Sequence, residues 1–340
     1  MLNTSVIMPV YNAGEILRQA IDSVLRQTDP SWELICVDDG TKDRRTLEIL
    51  DEYASRDDRI RIVHRENGGL FSAVQCGESF ARGEFIARID QDDLFHPELL
   101  RYCHRLCTEH SLDFLSFRYT RWNGVSEPDW DSVALDEAVS VRVWDGASEF
   151  ARPDEYCTAL THVHVDSWSH YLRRELAQRA VLTNTTYLTS IFRRLHLAKR
   201  WASVLVPIYF YNTGVDSSMT HRPFALRLLV NQRADYQALI AFYRSSERAS
   251  DPRGEWKTVC QCFILNQLKI FFNHQRRCRA KGLISPDAYE TWMREFATAL
   301  KEIFCDREVP LHWVRIRQLL CYLLILLRYR ILGRRENVRG

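Results

Sequence analysis

Between Ser5 and Asp93 the chain alternates short apolar runs with amphipathic stretches, and this leaves few sheet topologies open to it. Ser5-Val6-Ile7-Met8-Pro9-Val10 reads as a strand that breaks at Tyr11-Asn12. Ile16, Leu17, Ala20, Ile21, Val24 and Leu25 then recur at helical spacing on one face. A second strand, Trp32 to Val37, ends in Asp38-Asp39-Gly40, and a helix carrying Leu47, Ile49, Leu50 and Tyr53 leads to a third, Ile60 to His64. Asn67-Gly68-Gly69 interrupts the chain before a helix over Phe71–Ala81; Gly83 stops it, and a strand over Phe85–Ile89 follows. Strict strand–helix alternation implies an α/β fold with a mostly parallel, doubly wound sheet. Ligands in such sheets bind at the carboxyl ends of the strands. Tyr11-Asn12, Asp38-Asp39 and Asp90-Gln91-Asp92-Asp93 all fall at such ends.

The last of these groups is the most informative. Three carboxylates within four residues repel one another unless a cation sits among them. Asp90 and Asp92 are two apart, so an extended backbone points both the same way. A hard divalent ion that bridges phosphates is commonly held by one or two carboxylates. A solvated turn rich in Asp is the plainer alternative.

Five segments carry a resemblance to family 2 glycosyltransferases, in that family's order and at its spacings. They are Ser5 to Asn12, Val37-Asp38-Asp39-Gly40, Glu66-Asn67-Gly68-Gly69-Leu70, Ala81-Arg82-Gly83-Glu84-Phe85 and Ile89-Asp90-Gln91-Asp92-Asp93. The resemblance covers residues 4 to 120 well and the middle of the chain weakly. It implies a GT-A fold, Rossmann-like with a mostly parallel sheet, a nucleoside-diphosphate sugar donor, a Mn²⁺ or Mg²⁺ ion, and inversion at the anomeric carbon. Residue by residue, it implies that Asp39 accepts a hydrogen bond from a uracil imide and that Pro9, Tyr11 and Asn12 form the loop around the base. Asp90 would lie near the donor ribose and diphosphate with Gln91 beside it, and Asp92 would ligate the metal. Asn67 and Gly68 count with the donor-binding turn, where they serve backbone geometry as Gly69 does. Asp38 is read as capping the following helix, and Asp93 as capping the helix that begins near Pro97.

The chain departs from the family pattern twice. Val74-Gln75 stands where Arg-Asn is usual. Trp168-Ser169-His170-Tyr171-Leu172-Arg173-Arg174-Glu175-Leu176 resembles the family's acceptor-side helix, but the acidic pair expected downstream is missing. Leu182 to Tyr187 holds no carboxylate, and no acidic residue occurs between Glu175 and Asp216. Pro207-Ile208-Tyr209-Phe210-Tyr211-Asn212 still resembles the family's aromatic segment. An inverting transfer needs a base for the acceptor hydroxyl. In Thr161-His162-Val163-His164-Val165-Asp166, strand alternation would put His162, His164 and Asp166 on one face, offering a base, a metal ligand or both; a polar outward face of an edge strand is the other reading. Asp166 is taken as the base, with Glu175 in reserve. Trp122, Trp130, Trp144 and Trp168 are expected around the acceptor, where rings stack on sugars, although aromatic core is the commoner use.

Residues 1–222 are read as the nucleotide-sugar domain and residues 223–340 as an α-helical C-terminal extension, with helices over Phe224–Ser245, Trp256–Lys281, Pro286–Phe304 and Leu311–Leu332. In the last, the apolar run Leu319 to Leu327 is too short to span a bilayer. Arg315, Arg317, Arg328, Arg330, Arg334 and Arg335 bracket it, which suits a helix lying in an anionic membrane interface. Burial against neighbouring helices or a second subunit, in a homo-oligomer, is the alternative. A net charge of +2 argues against nucleic acid as a partner. The ten cysteines show no Cys-x-x-Cys spacing and read as reduced thiols. Met1-Leu2-Asn3-Thr4 runs straight into the first strand, so no secretory leader is expected. The expectation is therefore a cytoplasmic enzyme, peripheral at the inner face of the cytoplasmic membrane. It would move a sugar from a UDP-sugar to a glycan or lipid-linked saccharide in surface polysaccharide synthesis. A degenerate relative that binds nucleotide or partner proteins without transferring sugar is the alternative. A nicotinamide-dependent oxidoreductase is disfavoured, because Pro9 to Gly14 is not Gly-x-Gly-x-x-Gly.

Overall fold

The structure is a computed structural model and describes residues 2–133, 135, 141–146, 163, 168–180, 187–214, 223, 226–245 and 255–304. Two compact units are present: residues 1–150 with 159–216, and residues 151–158 with 217–340.

The first unit is built on a nine-stranded sheet. Its parallel half comprises β1 (Thr4–Val10), β2 (Trp32–Asp39), β3 (Ile60–Arg65) and β4 (Phe85–Arg88), in the order β3-β2-β1-β4. Both faces of β1 and β2 are buried, which explains their unbroken apolar sequence. Helices α1 (Ile16–Leu25), α2 (Arg44–Arg56) and α3 (Leu70–Phe80) are the crossovers. α3 approaches so closely that a Cβ on Gly77 would lie 2.5 Å from Ile7 Cγ2 and 3.0 Å from Val37 Cγ2. Only glycine fits there without displacing a strand.

The second half is mixed. β8 (His170–Arg173) pairs antiparallel with β4 on one side and with β6 (Phe114–Trp122) on the other. β9 (Arg200–Asn212) runs parallel to β6, and β5 (Leu94–Phe95) and β7 (Arg142–Asp145) pair antiparallel with β9. α4 (Leu99–Glu109), α5 (Arg174–Arg179) and α6 (Tyr187–Leu197) are further helices of the unit. The expected acceptor-side helix over residues 168–176 is corrected here: its first half is a central strand, and only α5 is helical. Two flanking strands supply ladder hydrogen bonds that override the local helical pattern.

In the second unit, α7 (Leu226–Ser245), α8 (Glu255–Ala280) and α9 (Pro286–Phe304) match the expected helices within two residues. Leu239, Leu268, Trp292, Phe296 and Leu300 are among their buried side chains. The proposed interface helix, Leu311–Leu332, lies outside the described residues. Among the described residues no helix is long and apolar enough to cross a membrane. The five described free cysteines include Cys36, Cys103, Cys107 and Cys278, all buried.

Candidate active site

The carboxyl ends of β1, β2 and β4 bring three loops together, and side-chain-to-backbone hydrogen bonds join them. Asn12, at φ 48°, accepts from the amides of Lys42 (2.9 Å) and Asp43 (3.1 Å) through Oδ1, tying the first loop to the second. Gln91 accepts from Tyr11 N–H (2.7 Å) and donates to Tyr11 C=O (3.2 Å), tying the first loop to the acidic one. One face of the Gln91 amide is thereby committed to holding Tyr11 rather than to a ligand. The Tyr11 ring remains exposed.

Asp39 is buried, and its carboxylate accepts from Gly68 N–H (2.9 Å) and Gly69 N–H (2.7 Å), with Arg65 Nε at 3.2 Å. It thus organises the Asn67-Gly68-Gly69 turn. Gly40 permits the close approach: it sits at φ +71°, and a Cβ there would lie 2.8 Å from Asn67 N. Asp38 accepts from Thr41 N–H (2.8 Å) and pairs with His64 Nδ1 (2.9 Å). Burial alone would raise its pKa, yet the His64 and Thr41 bonds hold it below the ordinary carboxylate value. The cap of α2 is Asp43, which accepts from Arg45 and Thr46 amides, so the capping role expected of Asp38 is corrected. The hydrogen bonds drew Asp38 back onto its own turn instead.

The acidic loop separates its three carboxylates by environment. Asp90 is partly exposed and ion-paired with the buried Arg88 guanidinium. Asp92 has no protein cation beside it among the described residues. Its pKa is pushed up to about 6, by burial first and by the charge of Asp90 second. Asp93 does not cap α4, where Glu98 holds the capping position without a side-chain bond. It turns inward, 1 % exposed, and accepts from Tyr209 O–H (2.6 Å) and Asn212 N–H (2.7 Å). Burial and the charges of Asp90 and Asp92 raise its pKa well above the usual range.

This distribution fits a divalent cation. Asp92 holds negative charge that burial and Asp90 destabilise, and no group among the described residues neutralises it. No cluster of three His, Cys, Asp or Glu side chains that could cage a metal forms among the described residues. The fit is therefore to an ion held by one or two carboxylates and completed by substrate phosphates.

The residues expected on the acceptor side are distributed differently. Phe85 pairs with Arg173, and Arg174 N–H donates to Glu84 C=O (2.9 Å), so α5 begins at the edge where the parallel strands start. Glu175 is exposed there, about 13 Å of strand from the edge carrying Asp90 and Asp92, counting four residues of β4. That position sets Glu175 at the sheet edge opposite the acidic loop. His162, His164 and Asp166 lie outside the described residues. Trp168, two residues after Asp166, is buried and stacks on Tyr209, with centroids 4.4 Å apart and planes at 16°. The tryptophans do not form one acceptor platform. Trp122 and Trp130 pack with Leu94 and Phe210 in a small satellite cluster, and Trp144 stacks on the buried Trp201 at 4.3 Å. Val74, at the first departure from the family pattern, is buried core.

The sequence profile of Glycosyl transferase family 2 matches residues 5–177. The chain belongs to that family. It is 34% identical over 309 residues to the glycosyltransferase GlyG of Streptococcus pneumoniae, covering 80% of this chain and 97% of the relative. It is 31% identical over 253 residues to an uncharacterized glycosyltransferase, EpsJ, of Bacillus subtilis, covering 70% of this chain and 69% of the relative. Among solved structures, S. aureus TarS 1-349 in complex with UDP-GlcNAc superposes with a TM-score of 0.62 at 18% identity, covering 91% of this chain and 82% of TarS. The fold is of the GT-A type expected from the sequence, and the protein is a glycosyltransferase.

Sequence reasoning missed Tyr209, Asn212, Arg88, Arg65 and His64. The Pro207–Asn212 segment was visible as an aromatic run. Nothing local in it says that Tyr209 points at the acidic loop, because the two are joined by pairing over more than a hundred residues.

Proposed function

We propose that this glycosyltransferase is an inverting, metal-dependent enzyme that moves a sugar from a UDP-sugar to a glycan or lipid-linked saccharide in surface polysaccharide synthesis. The observation that carries the reading is Asp92, a carboxylate with a raised pKa and no counter-cation among the described residues, at the carboxyl edge of a nucleotide-binding type of sheet. Asp92 would hold Mn²⁺ or Mg²⁺ with Asp90 beside it. The ion, when bound, neutralises charge on the departing diphosphate. Asp39, with the Gly68–Gly69 turn that it organises, and the Pro9–Asn12 loop would take the nucleobase, the exposed Tyr11 ring offering an apolar face to it. Asp166 is proposed as the base that takes the acceptor proton. It precedes by two residues a tryptophan packed against Tyr209, and the chain enters β8 from the carboxyl end of β4. A UDP-sugar donor is supported by the family and by a structural relative complexed with UDP-GlcNAc. Placement at the inner face of the cytoplasmic membrane, through residues 311–332, belongs to the same proposal.

The test is hydrolysis and binding of a panel of nucleotide sugars by the purified chain, with Mn²⁺ and with chelator. Metal-dependent turnover of one UDP-sugar is expected. Turnover that chelator leaves unchanged would overturn the metal dependence, and preference for another nucleotide would overturn the UDP assignment.

A further inference from the structure

Asp93 is a costly residue to bury beside two other carboxylates, and the ligand-facing side of the loop makes no use of it. What it does instead is anchor the loop from beneath. Its Oδ2 accepts from Tyr209 O–H at 2.6 Å and its Oδ1 from Asn212 N–H at 2.7 Å. The same Tyr209 oxygen accepts from the backbone amide of Asp90 at 3.1 Å. One hydroxyl therefore holds both ends of the four-residue acidic loop. It reaches the loop from β9, whose residues Tyr209 and Phe210 pair with Phe95 and Leu94 immediately after Asp93.

The Tyr209 ring is fully buried and carries a second load. Trp168 stacks flat on it at 4.4 Å, and Phe95 meets it edge-on at 5.8 Å. Trp168 also lies over Tyr211 at 5.5 Å. One side chain thus contacts both the loop that presents Asp90 and Asp92 and Trp168, two residues after Asp166.

We propose that Tyr209 is the positioning residue of this enzyme. Its hydroxyl sets the height and spacing of the Asp90 and Asp92 carboxylates for a divalent cation, and its ring sets where the chain enters β8 beside them. The two roles are separable because one needs the hydroxyl and the other only the ring. A buried hydroxyl serving as donor and acceptor at once cannot be replaced by water without space for one. Loss of the hydroxyl also leaves the Asp90 amide and one Asp93 oxygen unsatisfied, so the loop must shift to find partners.

This inference rests on the metal reading above, and the experiment keeps the two apart. Mn²⁺ affinity is measured by titration in the presence of UDP for wild type, Tyr209→Phe, Asp93→Asn and the double variant, with thermal unfolding of each. Tyr209→Phe is expected to weaken Mn²⁺ at least fivefold. The double variant should weaken it no more than the worse single variant, because one network has been cut twice. Tyr209→Phe should also lower kcat with little change in KM for acceptor, while Tyr209→Leu, which removes the ring as well, should alter both. Unchanged Mn²⁺ affinity in Tyr209→Phe, or additive losses in the double variant, overturns the positioning role. If wild type binds no divalent ion with UDP present, the metal reading itself has failed and takes this role with it.

Discussion

At the scale of the single residue, the site is defined by how differently equal carboxylates are treated. Asp39 spends its oxygens on backbone amides beside Arg65 and Asp93 on a hydroxyl and an amide, Asp90 faces Arg88, and Asp92 faces no cation among the described residues. A cation stabilises a destabilised carboxylate most, so Asp92→Ala is expected to abolish metal-dependent gain in UDP binding while leaving metal-free uridine binding within about twofold. Calorimetric titration with uridine and with UDP, each with Mn²⁺ and with chelator, reads this directly. A metal effect on UDP that survives in Asp92→Ala would move the ion elsewhere. Glu33 shows the opposite treatment, far from the site. It is 1 % exposed and binds Ser5 O–H (2.7 Å), the Arg82 amide (2.8 Å) and guanidinium (2.7 Å), and Arg61 (3.1 Å). Burial pushes its pKa up, but these donors outweigh burial and bring it below 4.5. A depressed folded-state pKa stabilises the fold above the unfolded value and loses that contribution as pH falls through the folded one. Below pH about 4.5 the wild type should therefore lose Tm faster than Glu33→Gln, which starts lower by about 1–3 kcal/mol. Parallel Tm curves from pH 7 to 3 would remove Glu33 from the acid response.

At the scale of the element, the parallel half of the sheet was legible because its signals are local. Apolar runs of strand length, helical spacing in α1 to α3, and the glycines near 40, 68 and 83 each report on their own neighbourhood. β8 was not legible, since four residues cannot establish a period. Arg-Arg-Glu-Leu continues at helical spacing, and the strand exists only because β4 and β6 flank it. The consequence for catalysis is large. An acceptor-side helix would have left Glu175 free to approach the reaction, whereas a strand running antiparallel to β4 carries it to the opposite edge. Asp166, before the strand, and Glu175, after it, therefore make opposite predictions. Asp166→Asn should retain donor binding and lose transfer by 10² or more, the usual weight of a general base. Glu175→Gln should transfer within about twofold of wild type. The reverse pattern, measured as single-turnover rate with donor bound, would reject the strand-based assignment of the two edges. The hydroxyl of Tyr209 escaped the sequence for a similar reason. Its partners, Asp90 and Asp93, lie 119 and 116 residues away, and pairing at that range is a property of the sheet.

At the scale of the whole molecule, a glycosyltransferase unit is followed by a helical one whose sequence ends in an apolar run flanked by arginine. The length of that run decides what it can do with a bilayer. Leu319 to Leu327 would rise about 14 Å as a helix, half of a hydrocarbon core, so spanning is excluded and lying in the interface is not. Each arginine near an anionic surface is worth about 1 kcal/mol, and the attraction decays within a Debye length of about 10 Å at 0.1 M salt. The apolar residues alone are a modest anchor, so the arginines should carry a large share of the affinity and make it sensitive to salt. The full chain is therefore expected to sediment with vesicles containing phosphatidylglycerol, to do so weakly with neutral vesicles, and to be released as salt rises from 0.1 M toward 1 M. Deleting the residues after Pro310 should abolish sedimentation while leaving UDP binding intact, since the proposed nucleotide site draws only on residues of the first unit. A truncated chain that still sediments places the membrane contact elsewhere. A full chain that ignores anionic vesicles but changes its oligomeric state on truncation assigns the helix to a second subunit, because the same apolar stripe with its charges turned to solvent is what a subunit contact requires.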